Sequence, residues 1–173
     1  RVRVLVVAVV CAGTVIVATA GTPAVPQEQP TIQAAIDVAS AADVVVVSAG
    51  TYRESLRLKP GVTVRSAGED ARGELGLKRA EATIIDGEAE SRGPAVILAE
   101  GAVFDGFTVT RVGRFNQADY DQHYATRGEE LSDERGAVGA GDDFPAIAVA
   151  GLTATVRHCI VHDNGHAGIG CTA

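Results

Sequence analysis

Three histidines near the end of the chain, His158, His162 and His166, stand four residues apart in the stretch VRHCIVHDNGHAGIG, with Cys159 and Cys171 alongside. On a helix that spacing would set three imidazoles on one face, where neutral histidines can ligate zinc. The neighbouring residues oppose a helix: Ile160 and Val161 favour a strand, and Asn164-Gly165 ends whatever precedes it. Four strand residues span about 13 Å, whereas a zinc ligand sits about 2 Å from its ion. His158 and His162 are therefore not expected to share a metal, and no metal site is assigned.

A second concentration of reactive side chains lies in RFNQADYDQHYATRGEELSDERGAVGAGDDF, residues 114–144. It holds eight acidic and three basic residues, a net of −5 out of −7 for the whole chain, and four of the seven aromatics, Phe115, Tyr120, Tyr124 and Phe144. Long loops in compact domains are usually functional or disordered, and pure disorder is poor in aromatics. Two readings stay open, a binding face and a solvated acidic flap. Carboxylates at such a place serve two chemistries. A glycoside hydrolase needs a pair flanking the scissile bond. A polysaccharide lyase needs carboxylates that hold calcium, plus a Lys or Arg base of lowered pKa. No spacing singles out a calcium site or such a base, so no cofactor is assigned, and calcium would enter only with lyase chemistry.

These groups need a scaffold, and composition indicates its kind. The 173 residues, 46% apolar and 21% charged, suit one soluble domain. Twenty glycines and apolar residues dominated by Val, Ile and Ala, without Trp or Met, point to short strands and tight turns. The missing Met means that no initiator is present, so the chain is expected to be a fragment whose first residue is not the true start, and its domain is expected to be incomplete at the carboxyl end as well. Arg1 and Arg3, the apolar run Val4–Val17 and Ala18-Thr19-Ala20 form an export-signal pattern over 1–20. The apolar run falls short of the roughly 20 residues of a membrane span, so after cleavage no integral membrane protein is expected, and the location is secreted, cell-surface or periplasmic. Residues 21–30, GTPAVPQEQP, form a linker whose prolines disfavour helix and sheet, and the domain, 31–173, is expected to start near Thr31. Cys159 and Cys171 can pair with each other, pair elsewhere or stay buried as small apolar groups.

Thr31 can cap a helix through IQAAIDVASAA, with Ile32, Ala35, Ile36 and Ala39 on one face. After it come short β-branched runs closed by Gly, Asn or Asp: DVVVVSAGTY, GVTVRSAG, ATIIDG, PAVILAEGAVFDGFTVTRVG and PAIAVAGLTATVRHCIVHDNG. No further segment of helical length stands out. The last two runs match each other: Pro94-Ala95-Val96 with Pro145-Ala146-Ile147, Ala99 with Ala150, and, with one residue of slack, Phe104, Phe107, Val109 and Gly113 with Val156, Cys159, Val161 and Gly165. A unit of about twenty residues cannot bury its own apolar side, so such units stack as a solenoid. A sandwich of hairpins would need two-residue turns that are scarce here. The alignment sets His158 opposite Gly106, at a turn that requires a left-handed backbone, where Gly is easiest and His is tolerated. His162 then ends the next strand facing solvent, and AGIG begins another coil.

TIQAAIDVASAADVVVVSAGTYRESLRLKPGVTVRSAG, followed by ATIIDG, VFDGFTVTRVG and VRHCIVHDNGHAGIG, resembles the right-handed parallel β-helix proteins of the pectin-lyase-like superfamily. The resemblance implies an all-β solenoid with a short capping helix at its start, interrupted by the insertion 114–144. Within it, GDDF followed by NGHAG is similar to the consecutive aspartates and later Gly-His-Gly of polygalacturonases. That likeness implies Asp142 and Asp143 as an acid/base pair with His166 beside them. The departures are an Ala inside the Gly-His-Gly element and no Asn-x-Asp one coil upstream, and this sequence ends before any basic substrate clamp. The opening segment also looks like the start of pectin methylesterases, but there Tyr52 and Glu54 read as strand-end residues and not as catalysts.

The expected function is binding or processing of an extracellular polysaccharide, by lyase or glycoside hydrolase chemistry if catalytic. The alternative is a non-catalytic adhesion or structural stalk module. An acidic chain, pI near 5.0, without a basic stripe makes nucleic acid an unsuitable partner. VGAGDD lacks the Lys-Ser/Thr of a phosphate loop.

Overall fold

The computed structural model describes residues 22–88, 92–113, 121, 125 and 144–171. The expected signal peptide and nearly all of segment 114–144, Asp142 and Asp143 included, lie outside the described residues.

Four successive turns of chain repeat the same three-strand path. They are β2 (Val44–Val47), β3 (Gly50–Tyr52) and β4 (Leu56–Leu58); β5 (Thr63–Ser66), β6 (Thr83–Asp86) and β7 (Val96–Leu98); β8 (Val103–Asp105), β9 (Thr108–Thr110) and β10 (Ile147–Val149); then β11 (Thr155–Arg157), β12 (Ile160–His162) and β13 (Ile169–Cys171). First strands stack in one sheet, A, second strands in B and third strands in C. Every ladder between these strands is parallel. The architecture is an all-β stack of three parallel sheets, and a hairpin sandwich is ruled out.

The stacking follows from side-chain alternation. In sheet A, Val45, Val64, Phe104 and Val156 fall in register, and the first three are fully buried. Full burial of such side chains contributes about 1.5–3 kcal/mol each, and no single coil could supply the cover. Phe104 and Phe107, either side of the A/B turn, stack inside with ring centroids 4.4 Å apart. The matched repeat appears in the ladders as Val96 with Ile147, Phe104 with Val156 and Val109 with Val161. The residue of slack is absorbed where sheet C turns into sheet A, over 99–102 in one coil and 150–154 in the next.

One end is closed by α1 (Ile32–Val38), whose Ile32, Ala35 and Ile36 are buried, with Ala39 beside them. The Thr31 side chain caps it, accepting from Ala34 N at 3.1 Å. Glu54 accepts from the N–H groups of Ile32 and Gln33 at 3.1 and 3.0 Å, satisfying two more orphan donors. The helix stops at Val38, before the periodicity through Ala42 suggested, where Ala39 turns extended at ψ 148°; beyond it Ala42 adopts φ 73° and its N–H bonds Gly61 O of the next coil.

Two elements depart from expectation. Ala24–Val25, inside the proline-rich linker, form β1, paired parallel with Val46–Val47, and Val25 is fully buried. The prolines flank the pair without occupying it, so an edge strand is still allowed. Ordered structure thus begins before Thr31. The second is α2 (Lys78–Ala82), five residues with Arg79 and Ala80 buried, too short to show a helical period.

Candidate functional site

Polar and charged side chains gather at two corners of the stack. At the B/C corner the chain passes from sheet B to sheet C through turns of very different length: 53–55, 87–95, 111–146 and 163–168. The insertion 114–144 departs from this corner after Gly113 and rejoins it at Phe144. Three of these turns hold a charged residue in the left-handed region, Glu88 at φ 56°, Arg111 at 55° and Asp163 at 51°. Such conformations cost energy in a non-glycine residue and concentrate at functional positions. Backbone bonds stack the turns: Gly87 N donates to Thr110 O at 3.0 Å, and Arg111 N to Asp163 O at 3.1 Å.

Between the first two coils the corner opens into a polar cleft of about 230 Å³, lined by Arg53, Glu54, Ser55, Asp86, Glu88 and Ala95. Asp86 is almost fully buried and receives the Arg111 guanidinium as a fork, Nε to Oδ1 at 2.9 Å and Nη2 to Oδ2. Those bonds hold its carboxyl below the usual carboxylate range, against the opposing effect of burial. Arg53 Nε lies 2.6 Å from Glu88 Oε1. Two coils further on, Asn164 bridges the turns, accepting from Val112 N at 2.9 Å and donating to Val109 O at 3.2 Å.

The other cluster closes the A/B corner. Arg79, carried in by α2, is buried and donates from Nε to Asp70 Oδ1 at 2.6 Å, from Nη1 to Ser66 Oγ and Asp105 O at 3.0 and 2.9 Å, and from Nη2 to Asp105 Oδ1 at 2.6 Å. Asp105, also buried, takes a further contact from His158 Nδ1 at 2.9 Å and pairs with Arg157 at 3.0 Å. Burial pushes its carboxyl up, but the bonds from Arg79 and His158 and the charges of Arg79 and Arg157 outweigh that and hold it low. His158 has φ 55° and Gly106, one coil earlier, φ 84°, as the repeat alignment required. This cluster ties three coils together and is internally satisfied, so it reads as a clamp.

Of the residues picked out for catalysis, Asp142 and Asp143 lie outside the described residues, and His166 sits exposed in the B/C turn between β12 and β13. His162 ends β12, exposed, with Nδ1 2.9 Å from Asp163 Oδ2. His158 thus serves one corner and His162 and His166 another. Among the described residues no three His, Cys, Asp or Glu gather so as to hold a metal ion. Cys159 and Cys171 are not bonded to each other; Cys159 packs against the core, and burial raises its thiol pKa.

Asp86, Arg111, Arg79 and Asp105 were not picked out from sequence. A signal for one of them existed: TVRS, VFDG and TVRH, aligned by repeat, put Arg65, Asp105 and Arg157 in one outward row of sheet A, the register that the ladders display. Arg79 carried none, because its segment breaks the repeat.

No protein-family model matches the chain, and no curated protein and no solved structure matches it. The fold by itself defines the class, an all-β protein of stacked parallel sheets. Among the described residues no helix is long and apolar enough to cross a membrane.

Proposed function

We propose that the chain is a right-handed parallel β-helix of the pectin-lyase-like kind, exported, which binds or processes an extracellular polysaccharide along its B/C corner. The observation that supports this reading most is the polar cleft between Arg53 and Glu88, set at the corner that also carries His166 and the roots of the acidic-aromatic segment. Extended sugars suit such a surface, since a solenoid repeats its turns along one axis and lines them up as a continuous face. The right hand is favoured because parallel strands joined by crossovers almost always take it. Cleavage, in this reading, falls to Asp142 and Asp143 with His166 as their neighbour.

The test is a screen of soluble glycans for retention and for depolymerisation by the full chain, with and without calcium. Retention of at least one glycan, lost in an Arg53→Ala/Glu88→Ala variant, supports the site. Depolymerisation that survives Asp142→Ala/Asp143→Ala removes those residues from the chemistry. Failure to retain or cut any glycan transfers the chain to the alternative, a rigid stalk or adhesion module.

A further inference from the structure

We infer, resting on that reading, that the ligand of the B/C corner is a neutral, hydroxyl-rich polysaccharide and not a polyuronate. A chain of carboxylates that sheds water on binding needs cationic partners at intervals to replace it. The guanidinium charges of Arg53 and Arg111 at this corner are already paired with carboxylates. Arg111 spends Nε and Nη2 on the two oxygens of Asp86, and Arg53 Nε is held by Glu88. Among the described residues of these four turns the one further Arg or Lys is Arg92, exposed on the 87–95 turn. Against the three arginines stand Glu54, Asp86, Glu88 and Asp163, so the corner offers no net positive charge. A polyanion approaching this face therefore finds no net electrostatic attraction.

Sugar hydroxyls make the opposite demand, because each both donates and accepts. The exposed pair Arg53 with Glu88 presents N–H donors and oxygen acceptors side by side, and on the next coil Arg111, half exposed above the buried Asp86, adds further N–H donors. Coils lie about 4.8 Å apart, a spacing comparable with the length of one pyranose residue. A glycan laid along the solenoid axis thus meets polar partners on neighbouring coils without having to be charged.

The experiment is affinity electrophoresis of the full chain through gels containing xylan, mannan or polygalacturonate at physiological ionic strength. Retardation by a neutral glycan is expected, with polygalacturonate binding about tenfold weaker or less. Glu88→Gln, which releases Arg53 from its partner, is expected to raise polygalacturonate retention about threefold, an effect that 0.5 M salt, with a screening length of about 4 Å, should abolish. Tighter binding of polygalacturonate than of either neutral glycan by the unmodified chain overturns the inference and leaves the polysaccharide reading standing. Retention by none of the three, where the wider screen is also empty, overturns both.

Discussion

Nδ1 of His158 lies 2.9 Å from Oδ1 of Asp105, one coil away, and the same oxygen lies 2.6 Å from Nη2 of Arg79. One buried carboxylate oxygen thus joins α2, β8 and the turn after β11. Removing it as Asp105→Ala leaves the buried Arg79 with Asp70 as its one remaining carboxylate, and since loss of one partner from a buried pair costs about 3–5 kcal/mol, the loss here should fall at the lower end of that range. Urea unfolding of the variant should show that loss. Adding Arg79→Met should make the double variant less destabilised than the two single losses added together, because the two residues act as one unit.

Gly106 and His158 share the left-handed turn position, but only one of them tolerates a Cβ. A Cβ on Gly106 would fall 1.6 Å from Arg79 Nη1 and 2.7 Å from Ser66 Oγ. Gly106→Ala therefore combines a left-handed alanine, about 1–2 kcal/mol, with displacement of the buried guanidinium, and should unfold at clearly lower temperature than the parent. His158→Gly relieves backbone strain while losing the bond to Asp105, so its melting temperature should fall less than that of Gly106→Ala. Differential scanning calorimetry of the two variants decides the order.

Acid should weaken the fold over a defined range. Asp86 and Asp105 both have carboxyls held below their ordinary range, Asp86 chiefly by hydrogen bonds from Arg111, Asp105 by bonds and charges that overcome its burial. Groups depressed in the folded state contribute stability that is complete above their unfolded pKa of about 4 and is lost as pH falls through the folded value. Stability from these two residues should be flat from pH 7 to 5 and drop below 4. Asp86→Asn should show a shallower drop between pH 4 and 2 than the parent, measured by thermal unfolding at each pH.

Thr83 is fully buried in β6, and its Oγ1 has no hydrogen-bond partner among the described residues. A buried hydroxyl without a partner costs about 1–3 kcal/mol, and valine keeps the shape and suits a strand. Thr83→Val should leave the fold unchanged and raise the denaturation midpoint. A lowered midpoint would mean that the hydroxyl is bonded after all.

How much of this could be read without coordinates depended on the range over which each feature is determined. The cap at Thr31, the strand runs, the match of Phe104 with Val156 and the left-handed turn at His158 are each written in a few neighbouring residues or in one repeat, and a single sequence displays them. The identity of the clamp and the cleft is not written that way. Arg79 reaches Asp105 across 26 positions from a segment that breaks the repeat, so no pattern announces it, whereas His158, 53 positions from Asp105, stands one residue past the repeat offset that pairs Asp105 with Arg157. Even β1 exists only because a neighbouring strand supplies its partners, so proline-rich local chemistry misled there. Sequence by itself determined that each coil needs a neighbour, since a run of three apolar residues cannot cover itself. Only the tertiary structure decided which charges that stacking buries, because a carboxylate's partner is chosen by distance in space and not by distance along the chain.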